Sequence, residues 1–332
     1  MDNHQFSIHV KAIVYTQYGP PGVLQLKEVE KPVPKANEVL VRIKATAVNS
    51  GDWRLRKADP FAVRFFFGLM GPKRNILGSV FSGIVEAVGN DVTLFKIADE
   101  VFGHTDMRFG AYAEYICLRE NETLALKPES ISHAEAAVIP FGGIAALYFI
   151  KKAALKPGQK VLIYGASGAV GSAAVQLAKY FGADVTGVCS TSNISLVKSL
   201  GADRVIDYTK EDFLPSGVRY DVIFDTVGKI SFSRSLLALN KPGILILSAA
   251  GMPAMLKGFW TSMISSQKVI TGVISHSAED ILFLKELIET GKLKPVIDKT
   301  YPLEQMGEAH AYVEQGHKKG NVAIILNHSN EV

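Results

Sequence analysis

The sequence predicts an α/β fold in which a β-rich first domain is followed by a doubly wound parallel sheet. The chain has 332 residues, which is more than one hydrophobic core usually supports. Short strand patterns fill the stretch from Val10 to Glu135, whereas strand and helix patterns alternate from Ile139 onwards. The second part also contains a strand, glycine turn, helix and strand between Lys160 and Cys189. That order is typical of a doubly wound sheet.

Six segments of the first domain have strand patterns. Proline and glycine turns separate several of them, as at Tyr18–Gly22 and Lys31–Pro34. Strands at this spacing predict a small all-β barrel or sandwich. The segments read KAIVYTQYG, LQLKEV, EVLVRIKATAV, GIVEAVG, DEVFG and AYAEYICL.

The second domain has six strand candidates joined by helical patterns, enough for two mononucleotide-binding halves. The tail from Pro295 is predicted to rejoin the first domain, so the domains would be residues 1–138 with 296–332, and residues 139–295. The strands are Lys160–Tyr164, Asp184–Cys189, RVIDY, DVIFD, GILILS and KVITGVIS. Helices are predicted at Ser172–Phe181, Ile194–Leu200, Phe232–Leu239, Ile281–Thr290 and Leu303–Glu314, before a last strand at Val322–Leu326.

Composition excludes several functional classes. The formal charge of +4 is spread along the chain without basic clusters and interleaved aromatic residues, so nucleic acid is not an expected partner. Cys117 and Cys189 are the two cysteines of the sequence. Two distant cysteines provide neither a disulfide framework nor a four-cysteine zinc lobe, and they favour a reducing compartment.

Neither a signal sequence nor a membrane span is predicted. The N-terminus MDNHQFSIHV lacks a charged start followed by an apolar stretch. The longest apolar candidate, Ala136–Ile150, is interrupted by Pro140, Gly142 and Gly143. We therefore expect a cytoplasmic protein with no integral membrane segment.

The turn of the second domain has the form of a dinucleotide-binding fingerprint. Ala166, Gly168 and Gly171 occupy the three fingerprint positions, giving A-x-G-x-x-G. Gly168 would let the backbone approach a pyrophosphate, and Gly171 would let the helix pack closely on the strand. The helix N-terminus would offer free N–H groups to the anion. A serine hydrolase is a weak alternative, because Ser167 lacks the final glycine of G-x-S-x-G and has no identified triad partners.

The sequence resembles the medium-chain dehydrogenase/reductase superfamily, in its zinc-independent, quinone oxidoreductase-like branch. The resemblance covers essentially the whole chain. It implies a GroES-like β domain, a Rossmann domain, a cofactor between the two and a homodimer. The matching blocks are KAIVYTQYGPPGVLQLKEVEKPVP, NEVLVRIKATAVNSGDWRLR, GAYAEY, EAAVIPFGGIAAL, PGQKVLIYGASGAVGSAAVQLAK, SLGADRVIDYTKEDF and GKLKPVIDKTYPLEQMGEAHAYVEQGHKKGNV.

The resemblance also indicates that the chain binds no metal. In zinc-dependent relatives, cysteine, histidine or acidic ligands stand where this chain has Asn49–Asp52 and Gly78–Val80. Neither stretch supplies the ligands of an open tetrahedral site. Four histidines are interpreted as scattered single residues; they are His104, His133, His276 and His310.

Without a Lewis acid, oxidation of an unactivated alcohol is difficult because nothing stabilises the alkoxide. Quinones and α,β-unsaturated carbonyls accept hydride more easily, since they delocalise the charge onto oxygen. We therefore expect a reductase of quinones or enones. Two alternatives stay open: a nucleotide-binding protein with weak or lost catalysis, and a zinc-independent alcohol or aldehyde oxidoreductase.

The cofactor is predicted to be NADPH. The second strand of the Rossmann domain ends in Cys189, followed by Ser190, Thr191, Ser192 and Asn193, with no acid to bind ribose hydroxyls or repel a 2′-phosphate. The ends of the later strands, at 225–228, 249–251 and 271–275, should line the ribose and nicotinamide. The predicted cofactor contacts are Ala166, Ser167, Gly168, Ala169, Val170, Gly171, Ser190, Thr191, Asn193, Tyr208, Val227, Ala249, Ala250, Val273 and Asn321.

By resemblance, Asn49 reaches the cofactor and the substrate carbonyl, and Arg54 is a candidate to hold the developing oxyanion. The candidates for an apolar pocket wall are Trp53, Phe65, Phe66, Met70 and Phe141. Three residues depart from the family pattern: Val80 replaces an acid, Ala98 a glycine and Ala145 a threonine. The segment 251–266 is interpreted as an apolar loop that forms a lid, a dimer surface or a membrane contact, with a packed interface favoured.

Overall fold

The structure, a computed structural model, describes residues Ile8–His328. The segment MDNHQFS and residues 329–332 lie outside the described residues. The prediction of no signal sequence, which depends partly on that segment, stays a prediction. The described chain forms two compact units. Unit 1 comprises the residues up to Phe141, His276–Lys285 and the residues from Ile297 onwards. Unit 2 comprises Gly142–Ser275 and Glu286–Val296.

Strands and helices are numbered in chain order. The strands are β1 (His9–Val14), β2 (Gln25–Glu30), β3 (Glu38–Val48), β4 (Val80–Val88), β5 (Glu100–His104), β6 (Tyr115–Arg119), β7 (Leu124–Leu126), β8 (Lys160–Tyr164), β9 (Asp184–Cys189), β10 (Arg204–Asp207), β11 (Tyr220–Asp225), β12 (Leu239–Leu247), β13 (Lys268–Ile270), β14 (Ile297–Pro302) and β15 (Asn321–Ile325). The helices are α1 (Ser50–Lys57), α2 (Val63–Phe67), α3 (His133–Ala153), α4 (Ala169–Tyr180), α5 (Ile194–Ser199), α6 (Phe232–Ala238), α7 (Met252–Ile264), α8 (Ala278–Glu289) and α9 (Met306–Glu314).

Unit 1 is built around β3, which pairs with three other strands. Its sheet has the order β14-β15-β3-β4-β5-β7, β6 also pairs with β3, and β1 and β2 form a separate antiparallel pair. The C-terminal strand β15 runs antiparallel to β3, with Val322 opposite Val48. Val41, Ile43 and Phe81 from the central strands are fully buried in the core. The tail of the chain is therefore part of the main sheet of unit 1.

Unit 2 contains a six-stranded parallel sheet in the order β10-β9-β8-β11-β12-β13. The order reverses direction at β8, the strand that precedes the glycine turn. Leu162, Ile223 and Leu245 from the three central strands are completely buried. Because the strands are parallel, their carboxyl ends lie along one edge, the edge at which doubly wound sheets bind ligands.

The sequence interpretations of residues 251–266 and 268–275 are wrong. Residues 251–266 were expected to form a loop, but α7 occupies most of them, with Gly251 as N-cap and Pro253 in the first turn. The strand predicted from Lys268 to Ser275 ends at Ile270, because Gly272 turns the chain with φ +129°. Leu256, Phe259 and Trp260 of α7 are exposed. That this surface joins two copies in a homodimer stays a prediction, which the mass of the protein in solution will check.

Helix α3 passes without interruption through Pro140, Gly142 and Gly143, so the expected break in this apolar run is wrong. Packing requires glycine at position 142, because a Cβ there would lie 2.3 Å from the carbonyl oxygen of Ala169. Of the described helices, α3 alone is long and apolar enough to cross a membrane, and 72% of its most apolar window is buried inside the protein. That burial is typical of a core helix.

Ala98 stands where the family pattern has glycine, and the backbone explains that pattern. The residue adopts φ +73°, a left-handed conformation that costs a non-glycine residue about 1–2 kcal/mol. Asp99, the next residue, is followed by β5. The alanine is therefore a local strain in the turn that leads into this strand.

Candidate functional site

The turn between β8 and α4 is tightly hydrogen-bonded. Gly165 has φ +81°, and its carbonyl oxygen accepts the N–H of Gly168 at 3.0 Å. The N–H of Ser172 donates to the Gly168 carbonyl at 2.8 Å, which closes the first helical turn. Helix geometry leaves the N–H groups ahead of Ser172 without intrahelical acceptors. They form a donor site for an anion at the N-terminus of α4.

The two fingerprint glycines have different constraints. A Cβ on Gly171 would lie 2.0 Å from the carbonyl oxygen of Gly165, so the packing of helix on turn requires glycine. Gly168 has an ordinary φ of −81°, and a Cβ there would meet only the Gly165 oxygen, at 3.5 Å. The protein itself does not require glycine at 168. A phosphate approaching the backbone would require it, so the turn fits a dinucleotide.

Several predicted cofactor residues meet beside this turn. The amide of Asn193 donates to the hydroxyl oxygens of Ser167, at 3.0 Å, and Ser190, at 3.2 Å. The Tyr208 N–H donates to the Cys189 carbonyl at 3.1 Å, which places Tyr208 beside the end of β9. The sequence stretches after β8, β9 and β10 thus supply one polar cluster at the carboxyl edge of the sheet.

Sequence reasoning missed a carboxylate at this edge. Asp207 ends β10 and lies opposite Cys189 of β9. Its carboxylate accepts the hydroxyl of Thr191 and the hydroxyl and N–H of Thr209. Hydrogen bonds from Thr191 and Thr209 hold the pKa of Asp207 below its usual value, and Lys210 Nζ lies 3.9 Å from the carboxylate. An acid is therefore present beside the second strand, although the next strand provides it.

The turn after β11 lies against the glycine turn. The carboxylate of Asp225 accepts the N–H groups of Val227 at 2.8 Å and Gly228 at 2.9 Å. A Cβ on Gly165 would approach Val227 Cγ2 to 2.3 Å, so Val227 belongs to the same surface. The other predicted contacts in unit 2 follow later strands: Ala249 and Ala250 follow β12, and exposed Val273 lies beyond the end of β13.

In unit 1, Asn49 lies between the end of β3 and the start of α1. Its side chain is 1% exposed, and neither amide atom has a hydrogen-bond partner within the described part of the chain. The backbone is fixed, since the Asn49 N–H donates to Oδ2 of Asp52 at 2.7 Å and its carbonyl accepts the Asp52 N–H at 3.1 Å. An unsatisfied buried amide costs stability. The role of Asn49 toward a ligand stays a prediction.

Asp52 belongs to a buried polar network that sequence reasoning did not identify. Burial raises the pKa of Asp52 to about 7, although hydrogen bonds from Asn49, Tyr112 and Gly78 oppose the shift. The Tyr112 hydroxyl also lies 3.2 Å from Nε2 of His310. Burial, with the nearby charge of Arg56, lowers the pKa of His310 to about 3. The imidazole is therefore neutral at physiological pH.

The raised pKa of Asp52 predicts a pH-dependent stability. An unfolded aspartate titrates near 3.9, so between about pH 4 and 7 the folded state holds the proton more tightly. The unfolding free energy of wild type, relative to Asp52→Asn, should fall as pH rises through this interval and become constant above it. Urea denaturation of both proteins across this range measures the difference. A difference that does not change with pH would contradict the assignment.

The family's zinc positions do not fit a metal in this chain. Val80, in the Gly78–Val80 stretch where zinc-dependent relatives have the second ligand, is fully buried and packs with Ala47, Val138 and Ala323. Half-buried Phe141 packs against the same cluster. An apolar wall at this point offers no ligand atom to zinc.

The interpretation of the histidines as scattered single residues is wrong for two of them. The rings of His104 and His276 stack with centroids 4.2 Å apart, and Oδ1 of Asp106 lies 3.3 Å and 3.0 Å from their Nδ1 atoms. Burial and His104 lower the pKa of His276 to about 4. One nitrogen of each ring and a carboxylate oxygen of Asp106 lie within 4.8 Å of one another, so the three residues form one cluster. This arrangement is a stacked histidine pair beside Asp106, whose N–H donates to Nδ1 of His104 at 2.9 Å.

The other predicted site residues of unit 1 differ from Asn49 in their environment, and most of them are exposed. Arg54 is exposed, with its guanidinium 4.7 Å from the Trp53 ring centroid. Phe65, Phe66 and Met70 are strongly exposed. Their roles at the pocket wall and at the oxyanion stay predictions. The last of these candidates, Asn321, is buried at the start of β15.

Comparisons with known proteins agree with this architecture. Residues 35–129 match the alcohol dehydrogenase GroES-like domain, and residues 200–324 match a family described as zinc-binding dehydrogenase. The chain is 34% identical to 2-methylene-furan-3-one reductase of Solanum lycopersicum, over 95% of this chain and 79% of that protein. It is 32% identical to NADPH-dependent alkenal/one oxidoreductase, chloroplastic, of Arabidopsis thaliana, over the same shares.

The quinone oxidoreductase from Coxiella burnetii is a similar solved structure. It superimposes with a TM-score of 0.87 at 29% identity, over 96% of this chain and 100% of that chain. These matches confirm the predicted fold class, a GroES-like domain with a Rossmann-like domain. The chain belongs to the medium-chain dehydrogenase/reductase superfamily, in its quinone oxidoreductase-like branch of NAD(P)H-dependent oxidoreductases.

Proposed function

We propose that this protein is an NADPH-dependent, zinc-independent reductase of quinones or α,β-unsaturated carbonyls. The observation that carries the proposal is the apolar burial of Val80, in the Gly78–Val80 stretch where zinc-dependent relatives have a ligand. Without a Lewis acid, the substrate itself must accommodate the charge that hydride brings. Quinones and enones do so by placing it on oxygen. The names of the tomato, Arabidopsis and Coxiella relatives support the same substrate classes.

The cofactor-binding part of the proposal rests on unit 2. The backbone at Gly168 and the N-terminus of α4 would hold the pyrophosphate, and the hydroxyl of Ser190, whose oxygen accepts the Asn193 amide, would donate to a 2′-phosphate. Asp207, opposite Cys189, places an acid near the predicted 2′-phosphate site. Its carboxylate already accepts three hydrogen bonds and lies near Lys210. These contacts reduce the electrostatic repulsion between Asp207 and a nearby phosphate. The bound cofactor would supply hydride from its nicotinamide.

Asn49 is the residue proposed to orient the acceptor. Its amide N–H groups can donate to a substrate carbonyl, and they stabilise that oxygen more strongly as negative charge develops on it. Because α1 and Asp52 fix the Asn49 backbone, this donor is positioned before substrate arrives. Solvent water can deliver the proton that completes reduction.

Steady-state kinetics with NADPH and NADH against a quinone and an enone panel tests the function. We expect turnover of at least one acceptor class and a higher kcat/KM with NADPH. Tight NADPH binding without turnover of any acceptor would instead favour a nucleotide-binding role. Equal kcat/KM values with NADH would overturn the phosphate-site argument, and turnover confined to alcohols or saturated aldehydes would change the reaction class.

A further inference from the structure

A short segment of unit 1 exposes an unusual number of large apolar side chains. Phe61, Phe65, Phe66, Leu69 and Met70 lie within ten residues, and their exposed fractions range from 59% to 96%. Exposed apolar clusters on a protein surface usually mark an interaction site. The segment contains α2 and the turn that follows it.

The segment is held in shape by its own polar and aromatic contacts. The Arg64 guanidinium lies 4.8 Å from the Tyr18 ring centroid and 5.2 Å from that of Phe61. The Tyr18 hydroxyl donates to the Gly68 carbonyl at 2.8 Å, and the Lys73 N–H donates to the Phe67 carbonyl at 2.8 Å. The exposed side chains therefore project from a backbone that these contacts hold in place.

The same segment is positively charged. From Trp53 to Asn75 the sequence has six basic residues and one acid, Asp59, so the interpretation of the charge as evenly spread is wrong for this segment. Arg56 and Lys57 pair with Glu314, and the other four basic residues do not. Lys73 and Arg74 are exposed directly after the apolar residues, and Nη1 of Arg74 donates to the Arg108 carbonyl at 3.0 Å. We name the five exposed apolar residues with Lys73 and Arg74 the apolar-basic patch.

This combination identifies the chemistry of the partner. Apolar side chains next to lysine and arginine favour an anionic lipid surface. The apolar side chains enter the boundary of the acyl chains, and the basic side chains bind the lipid phosphates. Phe66 and Met70 project almost fully into solvent, at 78% and 96% exposure. Such protruding side chains suit a fluid surface better than a partner that requires a matching groove.

We propose that the apolar-basic patch docks this protein on anionic lipid bilayers. The proposal does not depend on the proposed reductase activity, because docking requires neither cofactor nor acceptor. Docking would also bring the proposed reductase close to substrates dissolved in the bilayer.

Sedimentation of the full-length protein with vesicles tests docking. One vesicle set contains phosphatidylcholine with phosphatidylglycerol, and the other contains phosphatidylcholine alone. We expect binding to the anionic set and much weaker binding to the neutral set. The double variant Lys73→Gln/Arg74→Gln should bind the anionic set about 25-fold more weakly, since each basic residue near such a surface contributes about fivefold. Phe65→Ser/Phe66→Ser should lose at least tenfold on the same set.

The matched control is Leu94→Ser/Ile97→Ser. These two residues are exposed to 64% and 62%, but they lie near the acids Asp99 and Glu120, so this variant should keep wild-type vesicle binding. Circular dichroism establishes that every variant is folded. Wild type that stays in solution with anionic vesicles, or patch variants that bind as wild type does, would overturn the proposal. Binding to soluble polyglutamate without vesicle binding would assign the patch to an acidic protein.

Discussion

Gly168→Ala should weaken NADPH binding about tenfold to a hundredfold, since one lost hydrogen bond to a charged group costs about 1.5–3 kcal/mol. The added methyl group would occupy the space in which a phosphate approaches the backbone. Its nearest protein atom would be the Gly165 oxygen at 3.5 Å, so the melting temperature should stay close to that of wild type. Fluorescence titration with NADPH and thermal unfolding measure the two quantities.

Gly171→Ala is the matched comparison. Its Cβ would lie 2.0 Å from the Gly165 carbonyl oxygen, and the backbone must move to relieve that overlap. We expect a loss of stability of about 1–3 kcal/mol or more, as for other overpacked sites. If Gly168→Ala binds NADPH normally, the phosphate does not lie on this turn.

Glu314→Ala should lower the unfolding free energy by about 1.5–3 kcal/mol, the range for a hydrogen bond to a charged group, because the Glu314 side chain is 24% exposed and water partly replaces it. Arg56 is completely buried, and its Nη2 donates to Glu314. Within the described residues, Nε and Nη1 of Arg56 have no hydrogen-bond partner. Removing Glu314 therefore leaves a buried charge without its carboxylate. Urea denaturation measures the loss.

The control uses the same carboxylate. Exposed Lys57 binds the other oxygen of Glu314 at 2.8 Å, and an exposed pair contributes only about 0–1 kcal/mol. Lys57→Ala should therefore change stability little. Equal losses in the two variants would mean that solvent, and not Glu314, stabilises the Arg56 charge.

Local patterns predicted the parallel sheet closely. The bounds of β8 and β9 agree with prediction, because each is a short apolar run ended by a glycine or polar turn. Helix α7 was missed although Gly251 and Pro253 give a helix-start signal, because its apolar residues surround the helix axis without a clear polar face. The end of β13 at Ile270 depends on the conformation of Gly272, which apolar periodicity does not report.

The candidate site was predictable where its residues follow consecutive strands. Ser167, Ser190 and Asn193 could be brought together from the strand order alone. Asp207 could not, because its position beside Cys189 depends on the pairing of β10 with β9. The stacking of His104 on His276 likewise has no local signal, since it joins segments far apart in the chain.

The close contact between Gly142 and the Ala169 carbonyl has a consequence for the thermodynamics of ligand binding. Ala169 begins α4, so α3 braces one side of the glycine turn, while the packing of Gly171 on Gly165 braces the other. A loop held on both sides has little conformational entropy left to lose when it meets a ligand. The entropic cost of shaping this binding surface is therefore met during folding.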